Sequence, residues 1–268
     1  MLLRIALSCI MPLESLPQFV ATFVLVFFRL AGLMLFAPLL GSSRIPRRVK
    51  LLLALVLSTG MCGSVRGPVA LPQSTWELAL GIGGEMLFGI AMGMVLSFTF
   101  IAAQWAGEVI GQQMGLNISE VFDPQFGAQG SLVGELYFML TLVVFLAIGA
   151  HREMIRGIRM SFDALPLLSL GVDRDLLDLL IGLFQSCTML ALQLAAPMLV
   201  TMLVVDLALG CIGKAMPQLN VMTAGLSIRT LIGLVVMIVG IALTAWVIQR
   251  ELTEAMSVAL ARWSAPAP

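Results

Sequence analysis

Four charged residues lie inside or beside apolar segments of this sequence, where their chemistry would be proton or ion transfer. They are Arg29, Glu85, Glu108 and Asp206. Proton relays across a membrane use neighbouring carboxylates and histidines, but these acidic residues fall on different segments. The single histidine, His151, stands at the end of another apolar segment. The pattern therefore argues against a proton relay.

Known catalytic motifs are absent from the sequence. It contains no HExxH, GxSxG, Walker A or GxGxxG string, and these are the patterns of zinc peptidases, serine hydrolases and nucleotide-binding proteins. The cysteines are scattered singly, without metal-ligand spacing; they are Cys9, Cys62, Cys187 and Cys211. We predict no catalytic residue, no metal and no cofactor, and a protein that is not an enzyme.

A polar stretch that contains glycines, from Gly107 to Pro124, directly follows the charge-free apolar run from Met86 to Ala106. Backbone that leaves a helix at membrane depth must be covered by protein or line a water-filled path, because unpaired N–H and C=O groups cost several kcal/mol each in hydrocarbon. We interpret the stretch as a loop beside a conduit, although an aqueous connection between two spans would have the same composition.

The candidate gate or plug residues occupy the first half of that stretch. They are Gly107, Glu108, Gly111, Gln112, Gln113, Met114 and Gly115. The glycines allow backbone angles that other residues resist, and the glutamines can form hydrogen bonds across a narrow polar lumen. Met114 would supply a deformable apolar seal.

A stripe of small residues with one carboxylate precedes the polar stretch. Gly81, Glu85, Gly89, Gly93 and Ser97 recur at every fourth position, so they share one helix face. Small residues let helix backbones approach closely, and we predict a helix contact here rather than a solute pathway.

Arg29 and Asp206 would be costly if they faced lipid. Each is either a partnered structural charge or a residue that snorkels to an interface, and for Arg29 we expect a carboxylate or the carbonyl groups of a neighbouring helix. With the stripe residues, Arg29 and Asp206 form our predicted set for packing against other subunits.

Composition places the chain in a membrane. Hydrophobic residues make up 60% of it and charged residues only 11%, against about 25% charged residues in soluble domains.

The apolar segments predict the number of membrane spans. Charge-free runs at Met86–Gly107, Leu179–Val205 and Thr230–Gln249 each reach the roughly 20 residues needed to span about 30 Å. Further apolar segments at Leu16–Leu40, Leu51–Val65 and Leu136–Ala150 bring the predicted number of spans to six. Prolines such as Pro197 predict breaks in the helices.

Charge does not determine the orientation in the membrane. Fifteen basic and fifteen acidic residues cancel, so no nucleic-acid surface is indicated. A basic cluster from Arg44 to Lys50 would ordinarily mark a cytoplasmic loop, but the remaining basic residues do not keep to the same side in a six-span arrangement. Either the span count differs, or some segments pair into hairpins inside an assembly.

Several strings together resemble one known family. They are FRLAGLMLFAPLLGSSRIPRRVKLLLALVLS from Phe28, GEVIGQQMG from Gly107, FDPQ from Phe122, GAHREMI from Gly149, SFDALP from Ser161 and VDLALGCIGKAMPQLNV from Val205. In order and spacing they are similar to the FliR family of flagellar export-gate membrane proteins and its counterparts in virulence type III secretion systems. The resemblance extends over nearly the whole chain.

The resemblance implies a single-copy subunit of an export gate in the bacterial inner membrane, within the flagellar basal body. Its partners would be P-type and Q-type gate subunits, a B-type switch subunit, exported unfolded proteins and membrane lipid, with no nucleic acid. In that family the loop matching GEVIGQQMG forms a plug in the pore. Intramembrane charges would be buried against neighbouring subunits, which sit partly above the bilayer.

The fold class expected from composition and resemblance is an all-α integral membrane protein of broken helical hairpins, packed into a helical multi-subunit gate. Residues 1–150 would have a P-like role and include the pore loop at 107–124. Residues 151–268 would have a Q-like role within the same structural unit.

Alternatives to the flagellar gate stay open. An injectisome subunit of the same family would show the same strings. A small-solute secondary transporter usually has paired interrupted helices, whereas only one strongly polar loop is visible here. An assembly scaffold would share the glycine stripe but would not need the residues from Gln112 to Met114.

Overall fold

The computed structural model of the chain describes residues 16–38, 41, 46–63, 65, 74–116, 131–165, 167–168, 174–216 and 221–264. These ranges form α-helices and their connections and contain no strand. The helices are α1 (Leu16–Phe36), α2 (Arg47–Cys62), α3 (Thr75–Gln113), α4 (Leu132–Ala147), α5 (Ala150–Ala164), α6 (Arg174–Ala215) and α7 (Val221–Ser264). The all-α prediction is confirmed.

Four of these helices are long and apolar enough to cross a membrane: Gln18–Phe36 of α1, Thr75–Gln113, Ile181–Ala215 of α6 and Ala224–Val258 of α7. A fifth span is possible if α4 and α5, bent by 67°, count as one broken span. The prediction of six spans is wrong for the described residues. With 16 residues, α2 reaches only about 24 Å along its axis, which is shorter than the hydrocarbon core.

The structure has one helix break that was not predicted, and one predicted break is wrong. Between α4 and α5 the chain turns at Ile148 and Gly149, and Gly149 has a φ of 72°, a conformation that glycine adopts without a steric penalty. Pro197, in contrast, lies inside α6, which continues to Ala215. Neighbouring groups can compensate a proline in a membrane helix.

The chain divides into two compact units. Unit 1 takes its described residues from 1–97, 152–178 and 256–268, and unit 2 from 98–151 and 179–255. Each unit therefore contains segments from both sides of the predicted division at residue 150. The assignment of P-like and Q-like halves stays a prediction.

In unit 1, α1 packs on α2 and on the first half of α3. Leu25, Val26 and Leu30 of α1 are completely buried, as is Leu96 of α3. The core of unit 1 is thus centred on α1. Its apolar side chains are buried together with the guanidinium group of Arg29.

In unit 2, the second half of α3 packs on α4 through aromatic rings. The Phe100 ring lies 5.5 Å from the Phe138 ring and 5.6 Å from the Phe145 ring, both edge to face. Such pairs are a favourable arrangement of aromatic quadrupoles. This contact fixes the second half of α3, at whose end the candidate gate residues lie.

Candidate functional site

Arg29 and Glu85 form a buried ion pair in unit 1. Arg29 Nε donates to Glu85 Oε2 at 2.5 Å, and the two side chains are 1% and 0% exposed. The Arg29 guanidinium carbon also lies 5.0 Å from the centre of the Phe88 ring and 4.7 Å from that of Phe162. Aromatic faces attract cations at these distances.

The same pair binds the end of α5 and the turn after it. Arg29 Nη1 lies 3.3 Å from both the carbonyl and the hydroxyl oxygen of Ser161, and Nη2 lies 3.3 Å from the Leu165 carbonyl oxygen. Glu85 Oε1 accepts a hydrogen bond of 2.9 Å from the backbone N–H of Leu168, which has a φ of 68°. The prediction of carboxylate and carbonyl partners for Arg29 is confirmed.

These partners belong to the chain itself. We predicted that the intramembrane charges would be buried against neighbouring subunits, and for Arg29 and Glu85 a role in packing against other subunits stays a prediction. Within the chain, α3, the end of α5 and the turn after it supply a carboxylate and two carbonyl oxygens to the guanidinium, which can use them as acceptors.

The small-residue stripe contacts α1 of the same chain. A methyl group at Gly89 would collide with the Arg29 carbonyl group, and one at Gly93 would lie 2.7 Å from the Leu33 carbonyl oxygen. The Ser97 hydroxyl donates to the Phe36 carbonyl, and Gly81 lies against the Leu168 side chain. The predicted helix contact is confirmed, but it forms within the chain, and a role in subunit packing stays a prediction.

The first candidate gate residues lie in a helix and not in a loop. Helix α3 continues through Gly107 to Gln113 and ends in a turn over Met114–Leu116. The predicted loop from Gly107 is therefore wrong as local structure, because packing stabilises helix at a glycine that costs only about 1 kcal/mol relative to alanine. The remainder of the predicted loop, residues 117–124, lies outside the described residues.

The helix ends in a Schellman motif. Leu116 N donates to the Gly111 carbonyl and Gly115 N to the Gln112 carbonyl, both at 3.0 Å. Gly115 has a φ of 73°, the left-handed conformation that this cap requires. Of the three predicted glycines, only Gly115 thus uses glycine's freedom of φ.

The side chains of the candidate gate residues have different surroundings. A methyl group at Gly107 would lie 2.7 Å from Gly134 Cα and from the Val133 carbonyl oxygen of α4. Glu108 is half-buried, Gly111 is buried, and Gln112 and Gln113 are exposed. Met114 is completely buried. The structure therefore separates an apolar anchor from the glutamines that precede it.

Met114 is surrounded by residues that the sequence did not single out. The Thr230 hydroxyl lies 2.9 Å from the Met114 carbonyl oxygen, and Gly233 lies beside the side chains of Met114 and Met202. Leu226 lies beside Gly115. The sequence did contain a signal for this contact. Leu226, Thr230 and Gly233 share one helix face, and that face combines a polar with a small residue.

Asp206 of α6 forms an ion pair with Arg229 of α7. Their side chains are 40% and 41% exposed, and Asp206 Oδ1 lies 2.7 Å from Arg229 Nη2. The interpretation of Asp206 as a partnered charge is confirmed, whereas Arg229 was not predicted as its partner. Within the described part of the chain, no group of three or more His, Cys, Asp or Glu residues could hold a metal ion.

Comparison with known proteins identifies relatives along most of the chain. The family model described as bacterial export proteins, family 1, matches residues 20–255. The flagellar biosynthetic protein FliR of Bacillus subtilis is 30% identical over 233 residues, which cover 85% of this chain and 88% of that protein. FliR of Aquifex aeolicus is 28% identical, with 84% and 87% covered. The surface presentation of antigens protein SpaR of Shigella flexneri is 26% identical, also with 84% and 87% covered.

Proposed function

This chain belongs to family 1 of the bacterial export proteins, and we propose that it is a core subunit of the flagellar type III protein export gate. In that role it forms, with P-type and Q-type subunits, a gated conduit for unfolded flagellar proteins. The observation that carries the proposal is the alignment with proteins named flagellar biosynthetic protein FliR over more than four-fifths of the chain.

The exposed apolar surface of the described helices supports membership of an assembly in a membrane. Only 11% of the most apolar stretch of α7 is buried, against 67% for α3. Lipid or the helices of other subunits must cover such a surface. We assign this environment to the bacterial inner membrane within the flagellar basal body, with P-type, Q-type and B-type subunits as partners.

The closing element of the conduit is the last turn of α3 with the residues around it. The glutamines at 112 and 113 are exposed and can line a polar lumen, while Met114 is buried and anchors the turn. This revises the predicted plug, since its first half is helix. As an export component, the protein acts by opening and closing a path, and no catalytic residue is assigned.

Gene deletion in the source bacterium tests the flagellar assignment. We expect loss of exported flagellar proteins from the medium and of motility, both restored by the gene carried on a plasmid. The chain should co-purify with P-type and Q-type subunits encoded by the same bacterium. Continued export of flagellar proteins by the deletion strain would contradict the proposal.

An injectisome subunit is the second candidate, because the similarity to SpaR of Shigella flexneri covers as much of this chain as that to FliR of Aquifex aeolicus. The same deletion strain distinguishes the two assignments. Loss of secreted virulence proteins with intact motility would favour the injectisome, and loss of neither class would argue against an export gate of either kind.

A conductance measurement tests the closing role. Deletion of Gln112–Gly115, or Met114→Ala, should raise the resting ion conductance of the assembled complex in planar bilayers while its subunit composition stays unchanged. Met189→Ala is a matched control, because Met189 is 57% exposed on α6. If both gate variants assemble and conduct no more than the parent complex, the closing role is overturned. The alternative of an assembly scaffold would then explain the protein better.

A further inference from the structure

One face of α7 contacts the end of α3. Leu226, Thr230 and Gly233 follow each other at helical spacings of four and three residues and so share that face. Leu226 lies against Gly115, and the other two contact Met114 through its carbonyl oxygen and its side chain. All these residues belong to unit 2.

Thr230 supplies a donor to a carbonyl group that the helix cap leaves free. The Schellman motif uses the carbonyl groups of Gly111 and Gln112, but the last carbonyl groups of a helix have no partner within the helix. The Met114 carbonyl oxygen lies 2.9 Å from Thr230 Oγ1, which is also 3.0 Å from the Leu226 carbonyl oxygen of its own helix. Thr230 therefore has a second acceptor available when the α3 end moves away.

Gly233 provides the space for the Met114 side chain. A methyl group at Gly233 would collide with Met114 Cγ and lie 3.0 Å from Met114 Cε and 2.9 Å from Met202 Cε. Because Met114 is completely buried, it could not keep its position beside a larger residue at 233. The absence of a side chain at this position is thus a requirement of the observed anchoring.

We propose that this face of α7, formed by Leu226, Thr230 and Gly233, is the seat that positions the α3 end in the closed gate. The inference rests on the proposed closing role. It adds the residues that determine how strongly the α3 end is held in the closed position. To open, the α3 end exchanges the Thr230 hydrogen bond for the acceptor within α7 and withdraws Met114 from beside Gly233. Thr230 and Gly233 are positioning residues, since they act through Met114.

Thr230→Val tests the hydrogen bond in the complete complex, purified with its partner subunits and reconstituted into planar bilayers. Valine keeps the shape but removes the donor, and a hydrogen bond between membrane helices changes an equilibrium about threefold. We expect the resting conductance to rise about threefold. Thr230→Ser keeps the hydroxyl and should stay at the parent level.

Thr253→Val is the matched control on the same helix. Thr253 is exposed and donates to the Gln249 carbonyl within α7, so its replacement should leave the resting conductance unchanged. A rise in Thr253→Val equal to that in Thr230→Val would mean that any lost threonine in α7 loosens the complex, and it would overturn the assignment of a seat.

Gly233→Ala tests the space for Met114 and is independent of the hydrogen bond. It should raise the resting conductance at least as much as Thr230→Val. Gly240→Ala should not, because among the described residues no atom outside the local helix backbone lies within 4 Å of a methyl group at Gly240. If Thr230→Val does not assemble, this pair decides the question. Equal conductance of the two alanine variants would overturn the seat.

Deletion of Gln112–Gly115, measured alongside, separates the seat from the closing role. If the deletion leaks and both Thr230→Val and Gly233→Ala stay at the parent level, the seat is wrong while the closing role stands. If none of the three variants leaks, both are wrong. A leak in all three supports both.

Discussion

The two halves of α3 pack closely against other helices, but they bury different chemistry. The first half, in unit 1, buries the Glu85 carboxylate against the Arg29 guanidinium. The second half, in unit 2, ends at the completely buried thioether of Met114. A buried charge keeps its position because any displacement leaves it unpaired, whereas a methionine re-packs without such a penalty.

The first half of α3 also has more polar contacts with its surroundings than the end of α3. Arg29 and Glu85 reach Ser161, Leu165 and Leu168 by hydrogen bonds, so the pair holds three segments of unit 1 together. Around Met114, among the described residues, one side-chain hydroxyl contacts one carbonyl oxygen. The comparison indicates that the first half of α3 is a fixed support and that its end is the part suited to move.

Arg29→Leu is the change with the largest expected effect on this comparison. It leaves Glu85 buried without its cation, at a cost of about 3 to 5 kcal/mol, and it removes the guanidinium donors to Ser161 and Leu165. We expect a strongly lowered thermal midpoint of the purified complex and little recovered complex.

The double variant Arg29→Leu with Glu85→Leu is the control for that cost. Replacing both members of a buried ion pair by apolar residues is often neutral or stabilising, so the double variant should recover much of the lost stability. A double variant as unstable as Arg29→Leu alone would show that the charges themselves hold unit 1. Parent-like stability of Arg29→Leu would contradict the fixed support.

The fold class could be predicted because it depends on local properties of the sequence. Runs of about 20 apolar residues indicate membrane helices without knowledge of their neighbours. The number of spans could not be predicted in the same way, since Leu136–Ala150 forms most of α4 and the turn to α5, where the chain bends by 67°. Apolarity alone does not record that bend.

For the candidate site, the sequence predicted which type of partner a residue needs, but not which residue supplies it. The sequence indicates that Arg29 needs a carboxylate or carbonyl groups, yet Glu85 stands 56 positions away, and only tertiary packing selects it. Likewise Gly107 and Gly111 predict a loop by propensity, whereas the contact of Gly107 with Gly134 keeps the helix intact. Tertiary contacts routinely override such weak local preferences.

Gly89→Ala gives the second largest expected effect and tests the first half of α3 without changing charge. The added methyl group meets the Arg29 carbonyl group, and backbone cannot move aside as a flexible side chain can. Overpacking of this kind typically costs about 1 to 3 kcal/mol, which should lower the thermal midpoint of the complex. In the same helix, the methyl group of Gly83→Ala would meet no atom of the described residues within 4 Å apart from the local helix backbone, so this variant should be neutral or slightly stabilising. Equal midpoints for the two variants would remove the α1 contact from the explanation of the stripe.

Gly115→Ala has the smallest expected effect and tests the end of α3. Its φ of 73° costs an alanine about 1 to 2 kcal/mol, and the methyl group also meets the Leu226 side chain, which is flexible. Measuring the thermal midpoint in the Leu226→Ala background separates these causes, because that background removes the contact and keeps the backbone angle. If backbone strain dominates, the loss caused by Gly115→Ala persists there, and Gly115→Asn, which tolerates a left-handed conformation better, loses less. A loss that disappears with Leu226→Ala would instead assign the effect to crowding, and the helix end would then be limited by its contact with α7 rather than by its cap.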